Sequence, residues 1–185
     1  MKYRWSIGIS LIALLMSSGG CKKDVPGSEL LGQAKGQVPG LTWSVPKTWT
    51  VGPAREMRVA TYTVDARSGD AEGGECTVFH FGPGVGGDLE SNISRWAGQF
   101  EQAEGPRSEP LEINGMKVTV VRIAGTYLAP SGPMMASSGK KENFRLLGAI
   151  VEGPHGSVFF KLTGPAKTIE AVSAEFDAMI HSLSL

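Results

Sequence analysis

Gly82, Gly84 and Gly87 fall in the spacing G-x-G-x-x-G, between an apolar run ending at Phe81 and an amphipathic stretch beginning at Leu89. In that order of strand, glycines and helix, a dinucleotide's pyrophosphate can rest on backbone N–H groups at the positive end of the helix. The neighbouring residues argue against this chemistry. Asp88 and Glu90 stand at the helix start, where their carboxylates stabilise the helix themselves and repel a pyrophosphate. No lysine follows in the P-loop pattern, and the window for a ribose-binding acid, around Arg107 to Glu109, falls in the turn-like "GPRSEP". The glycines are instead expected to make a tight strand-to-helix connection, with positive φ at one or more of Gly84, Gly86 and Gly87 and with Asp88 as the helix cap.

Metal chemistry finds equally little. The soft or borderline ligands are Cys76, His80, His155, His181, Met134 and Met135. Cys76 and His80 share a strand face, but four residues of strand separate them by roughly 13 Å, too far for one ion. His155 sits in a hairpin turn and His181 near the end of the last helix, where an imidazolium complements the dipole. No C-x-x-C, H-x-x-x-H or repeated Met-x-x-Met spacing occurs, so neither a metal nor a cofactor is expected. Cys76, in an apolar strand, reads as buried packing and not as a reactive thiol.

For nucleophilic catalysis there is no G-x-S-x-G elbow and no H-E-x-x-H, and nothing singles out a pair of carboxylates. No catalytic residue is assigned, and an enzyme is not expected. The loop from Leu128 to Glu142, "LAPSGPMMASSGKKE", is the most suggestive remainder. It is long for a connection between antiparallel strands and carries Met134 and Met135, adaptable side chains that suit a protein contact. These two are the candidate partner-binding residues; the alternative is that they fold back onto the domain.

The elements around these residues can be read from periodicity and turn chemistry. "GLTWSVPKTWTV" gives a first strand running into a proline-fixed turn, and Met57 to Asp65 and Glu75 to Phe81 give two more strands. A helix is expected from about Leu89 to Gln102, with Leu89, Ile93, Trp96, Ala97 and Phe100 on one stripe. Glu109 to Ile113 and Met116 to Tyr127 make a hairpin about Asn114-Gly115, and Phe144 to Glu152 and Ser157 to Thr163 a second about "GPHG". A last helix runs from Pro165 or Thr168 to Leu183, with Ile169, Val172, Phe176, Met179, Ile180 and Leu183 on its apolar face. Strands such as "FRLLGAIV", "KVTVVRI" and "VFFKL" are apolar on both faces and must be covered on both sides. Hairpins joining them exclude a Rossmann sheet, which needs helical crossovers.

The N-terminus bears on the compartment. Lys2 and Arg4, the apolar run Ile7 to Met16, and Ser17, Ser18, Gly19 and Gly20 ahead of Cys21 make a secretory signal whose apolar part is short for a bilayer span. The cysteine after small residues makes it similar to a bacterial lipoprotein signal, which implies cleavage before Cys21 and acylation of that residue. The domain plan is then residues 1–20 as signal, 21–40 as lipidated cysteine and flexible tether rich in Gly, Pro, Lys, Gln and Ser, and 41–185 as one domain. Removing the signal leaves 16 basic and 18 acidic residues, with no basic stripe, so nucleic acid is not a partner to expect. With Cys21 acylated, Cys76 has no cysteine to pair with.

The opening "WSVPKTW", the long two-faced hairpins, and the ending "FFKLTGPAKTIEAVSAEFDAMIHSL" resemble the PsbP-like fold. The resemblance covers about Leu41 to Leu185 and implies an α+β fold, an αβα sandwich with a mainly antiparallel sheet. Extrinsic photosystem proteins, a Ran-binding factor and bacterial envelope lipoproteins share that fold, so it implies a non-enzymatic binding or assembly module. "ECTVFHFG", "NISRWAGQF" and "LLGAIVEGP" are further similar to segments of bacterial lipoproteins without assigned chemistry. The expected protein is a lipid-anchored component of the bacterial cell envelope, held at the membrane through Cys21 and binding another envelope protein. The alternatives are an envelope hydrolase or metal-handling protein, and a small-molecule carrier, for which an apolar pocket between sheet and helix is the discriminating feature.

Overall fold

The computed structural model describes residues 25–130 and 137–185. A hairpin of β1 (Leu31–Val38) and β2 (Leu41–Pro46) stands apart from the main sheet. That sheet contains β3 (Thr50–Val51), β4 (Ala60–Val64), β5 (Gly74–His80), β6 (Phe100–Ile113), β7 (Met116–Pro130), β8 (Ser137–Gly153) and β9 (Gly156–Pro165). Its order is β3-β4-β5-β9-β8-β7-β6, with antiparallel pairing throughout. The helices are α1 (Leu89–Ala97), α2 (Ala166–Ala171) and α3 (Ser173–His181).

Alternation along the central strands feeds two cores, one on each face of the sheet. On one face Val118, Val120, Leu147, Ala149, Phe160 and Leu162 pack with Trp43 and Val45 of β2 and with Ile169, Phe176 and Met179 of the C-terminal helices. On the other, Val121, Ile123, Leu146, Ile150 and Phe159 pack with Ile93 and Trp96 of α1. Helix α1 lies so close that a Cβ on Gly148 would sit 2.2 Å from the Trp96 ring. The "WSVPKTW" segment is pinned to α3, since Glu175 Oε2 accepts from Thr48 Oγ1 at 2.7 Å and from Trp49 Nε1 at 2.6 Å.

Five expectations need correction. Residues 21–40 are not all tether, because Ser28–Leu30 form a 3₁₀ turn and Leu31–Val38 pair with β2. The segment lacks large apolar residues because its inward positions are small: Gly36 lies directly beneath the Trp43 ring. The first helix ends at Ala97 and not near Gln102; Gly98 closes it, and Phe100 starts β6 opposite Tyr127 while reaching the same core. Strand β6 is far longer than Glu109 to Ile113, because an edge strand holds its polar, proline-bearing sequence in the ladder through one side only. The stretch from Leu128 to Glu142 is mostly hairpin, with Leu128 opposite Lys140 and Ala129 opposite Gly139. The last helix is also interrupted, at Val172 (φ −105°, ψ 8°), although its apolar stripe stays continuous in the core.

Candidate functional site

The glycine turn holds itself together. Gly82, Gly84, Gly86 and Gly87 have φ of 86°, 71°, 101° and 80°. Asp88 Oδ1 accepts from the Ser91 N–H at 2.7 Å, which holds its carboxyl below the usual aspartate range. The buried Asn92 Nδ2 donates to the carbonyls of Gly86 and Asp88, each at 2.8 Å. The helix start is thus occupied by the chain's own carboxylate and amide, in an antiparallel sheet.

His80 Nε2 lies 3.0 Å from the His155 backbone carbonyl, so these residues meet through ring and main chain and not as two imidazoles. Cys76 is fully buried, and desolvation pushes its thiol well above the usual range. His181 closes the last turn of α3. Among the described residues no three His, Cys, Asp or Glu side chains gather as a metal site. Cys21, Met134 and Met135 lie outside the described residues.

The structure instead brings together residues that sequence spacing did not single out. Beyond α1, the same face of the sheet is open over β4, β5 and β9, leaving a groove of ≈ 670 Å³. Lys161 of β9 stands within it, flanked by Thr77 and Phe79 of β5, by Tyr127 of β7, and by Phe144 of β8. Arg55 and Arg58 come from the segment before β4, and Glu72 and Lys141 line the groove as well. Two ion pairs are internal, Arg58 Nη1 to Glu75 Oε1 at 2.8 Å and Lys141 Nζ to Glu72 Oε2 at 2.5 Å. Lys161 Nζ donates to Gln99 Oε1 and lies 5.5 Å from the centre of the Tyr127 ring, which stacks on Phe144 at 5.9 Å.

Removal from water pulls the Lys161 ammonium down to about 8, helped by the positive charges of Arg58 and Arg95 and opposed by Glu75. Desolvation likewise raises the Tyr127 phenol, whose hydroxyl has no hydrogen-bond partner among the described residues. The visible signal was a lysine between Phe159 and Thr163 on one face of an otherwise apolar strand. Its companions in other elements lie between 17 residues away, at Phe144, and 106, at Arg55, and become neighbours only through sheet order.

A smaller recess of ≈ 350 Å³ on the opposite face is lined by Arg107, Arg122 and Arg145. Its charge is largely answered, as Arg122 faces Glu109 at 3.7 Å and Asp177 at 3.6 Å and Arg145 pairs with Glu170 at 3.1 Å. The Lys161 groove is therefore the better candidate site.

No family model matches the chain, and no curated protein matches it. Solved structures do. The solution structure of CyanoP, the cyanobacterial PsbP of Synechocystis sp., is similar with a TM-score of 0.53 at 12% identity, covering 92% of this chain and 98% of that one. A Pseudomonas aeruginosa protein of unknown function matches at 9% identity and a TM-score of 0.49, over 82% of this chain and 96% of that one. At such identity the likeness to CyanoP is one of fold: the chain has a PsbP-like fold, a mainly antiparallel sheet with a few helices.

Proposed function

We propose that the chain is a lipid-anchored lipoprotein of the bacterial cell envelope whose PsbP-like αβα sandwich is a non-catalytic binding module. The observation that carries the binding role is the Lys161 groove, a recess with aromatic walls and more basic than acidic lining groups. Its lining is mixed and is not the apolar pocket between sheet and helix expected of a carrier, but its size and aromatic walls support the carrier form of this reading, in which the occupant is a small molecule. The contact with an envelope protein would then belong to the segment holding Met134 and Met135.

The anchor reading is supported by the signal-like N-terminus ending at Cys21. The fold begins by Val25, whose carbonyl accepts from the Ser28 N–H at 3.0 Å. Four residues of extended chain reach about 14 Å, so an acylated Cys21 would hold the domain close to the bilayer. Gly27 lies against Ala178 of α3, on the side of the sheet away from the groove, so the groove would open away from the anchor's layer.

The test is labelling in cells with an alkyne fatty acid, together with photo-crosslinking from residues at the groove rim. Wild type should incorporate label and pellet with membranes, and Cys21→Ala should lose both. A crosslinker at Arg55 or Thr163 should capture an envelope component that one at Glu112 does not. Unlabelled wild type would overturn the anchor, and identical capture from all three positions would overturn the binding role.

A further inference from the structure

Within the Lys161 groove the hydrogen-bond and charge demands are unequal. An ammonium carries three donors, and among the described residues Lys161 Nζ has one hydrogen-bond acceptor, Gln99 Oε1, and the face of Tyr127. Arg58 has five N–H donors and uses Nη1 on Glu75. The Tyr127 hydroxyl is unpartnered among the described residues. Of the four basic side chains lining the groove, Arg58 and Lys141 are paired with its two acidic ones, leaving Lys161 and Arg55 without an ion pair among the described residues.

An oxygen acceptor bearing negative charge meets these demands, because charge-assisted hydrogen bonds strengthen where water is partly excluded. The acceptor's charge is limited by Glu75, which stands beside it and disfavours a dianion. The floor is a sheet face whose amides are engaged in the ladders between β4, β5 and β9, so these strands offer no nest of N–H groups to a phosphate. A planar monoanion, the carboxylate, fits both conditions. The groove is several times larger than one carboxylate, and Phe79, Tyr127 and Phe144 offer ring surface for the rest of a ligand.

We propose that Lys161 and Arg58 anchor the carboxylate of a small amphipathic molecule whose apolar or aromatic body lies against Phe79, Tyr127 and Phe144. This rests on the reading of the domain as a binding module and names its ligand class. Arg58 Nη1 would stay on Glu75 while its remaining donors and Lys161 Nζ share the ligand's two oxygens, and Tyr127 supplies a third donor. Binding involves no bond change.

The probes are phenylbutyrate, its neutral amide phenylbutanamide, and inorganic phosphate, titrated into the full chain in lipid nanodiscs with empty nanodiscs as the blank. Phenylbutyrate should bind at least about tenfold more tightly than the amide, and phosphate should not displace it. Lys161→Met, which keeps the length of the stem and removes the charge, should lower phenylbutyrate affinity by about tenfold or more and leave the amide unaffected. Equal binding of acid and amide to wild type would overturn the inference without any variant, as would full competition by phosphate or an unchanged Lys161→Met. Absence of phenylbutyrate binding also overturns it, and if the groove crosslinks still capture an envelope component, the binding-module reading survives that failure.

Discussion

Gln99 Oε1 accepts a hydrogen bond from Lys161 Nζ, which ties the residue just beyond α1 to the central strand β9. The contact holds the ammonium of a groove-lining lysine in a setting that resists its charge. Facing it are Arg58 from the segment before β4, Glu75 of β5, Arg95 of α1, Tyr127 of β7, and the Lys141 and Glu72 pair.

This setting gives stability a pH dependence of definite sign. Folded Lys161 loses its proton near 8, against 10.5 in the unfolded chain, so between those values the unfolded state binds more protons and stability rises with pH. Tyr62, raised from 10.0 to about 12 by burial, and the Cys76 thiol, raised well above 9.0, work the other way above about pH 10 and pH 9 respectively, but equally in wild type and in Lys161→Met. Between about pH 7.5 and 9.5 the wild-type Tm should therefore climb relative to that of Lys161→Met, by roughly 2–4 °C for each kcal/mol gained. Parallel Tm profiles for the two proteins would contradict this.

Strand β1 is expected to be sensitive where a tether would be indifferent. A Cβ on Gly36 would lie 2.1 Å from the Trp43 ring. That ring cannot retreat easily, because its Nε1 donates to the Tyr62 hydroxyl at 2.9 Å and its edge meets Phe160 at 5.0 Å. Gly36→Ala should cost about 1–3 kcal/mol in urea unfolding, as overpacking does. An unchanged midpoint would return the segment to linker status.

What the sequence made legible was local. Asn114 and Gly115, with φ of 49° and 80°, form the two-residue turn that their types demand, and the stripe from Ile169 to Leu183 is buried as its period requires. Strands β1 and β6 were obscured for different reasons, one through small residues under an aromatic ring and the other through the exposure of an edge. The groove was illegible in a stricter sense. Lys161, Gln99, Arg58 and Tyr127 satisfy no spacing rule and are assembled by the pairing of β9 with β5 and β8 and by the position of α1's end.

Glu175 should prove the chief link between the "WSVPKTW" segment and α3. A single oxygen takes hydrogen bonds from Thr48 and from the buried indole of Trp49. Glu175→Ala removes both and leaves the indole N–H without its carboxylate, at an expected cost of about 2 kcal/mol, within the range for hydrogen bonds to charged groups. Glu175→Gln, which retains an acceptor oxygen, should recover much of that loss. Equal losses in the two variants would assign the effect to packing and not to the hydrogen bonds.

The glycine turn offers the sharpest separation of local from global stability. Asn92 joins the first turn of α1 back to the carbonyls of Gly86 and Asp88, and Arg95 donates to its Oδ1. Gly86 is itself close-packed, since a Cβ there would meet the Phe159 and Phe81 rings at 3.0 Å. Asn92→Ala leaves the turn's carbonyls to find water, at a cost of about 1–3 kcal/mol. If Asn92 is what fixes the turn, amide exchange at Val85, whose N–H donates to the Gly82 carbonyl, and at Ser91, whose N–H donates to Asp88, should accelerate by about tenfold or more beyond the change seen at Phe160 in the buried centre of β9. Asn92→Asp should be worse than Ala, because a carboxylate cannot donate to those carbonyls and repels them. Exchange at Val85 and Ser91 that merely tracks Phe160 would mean that the turn is held by its own backbone and by the aromatic floor beneath Gly86.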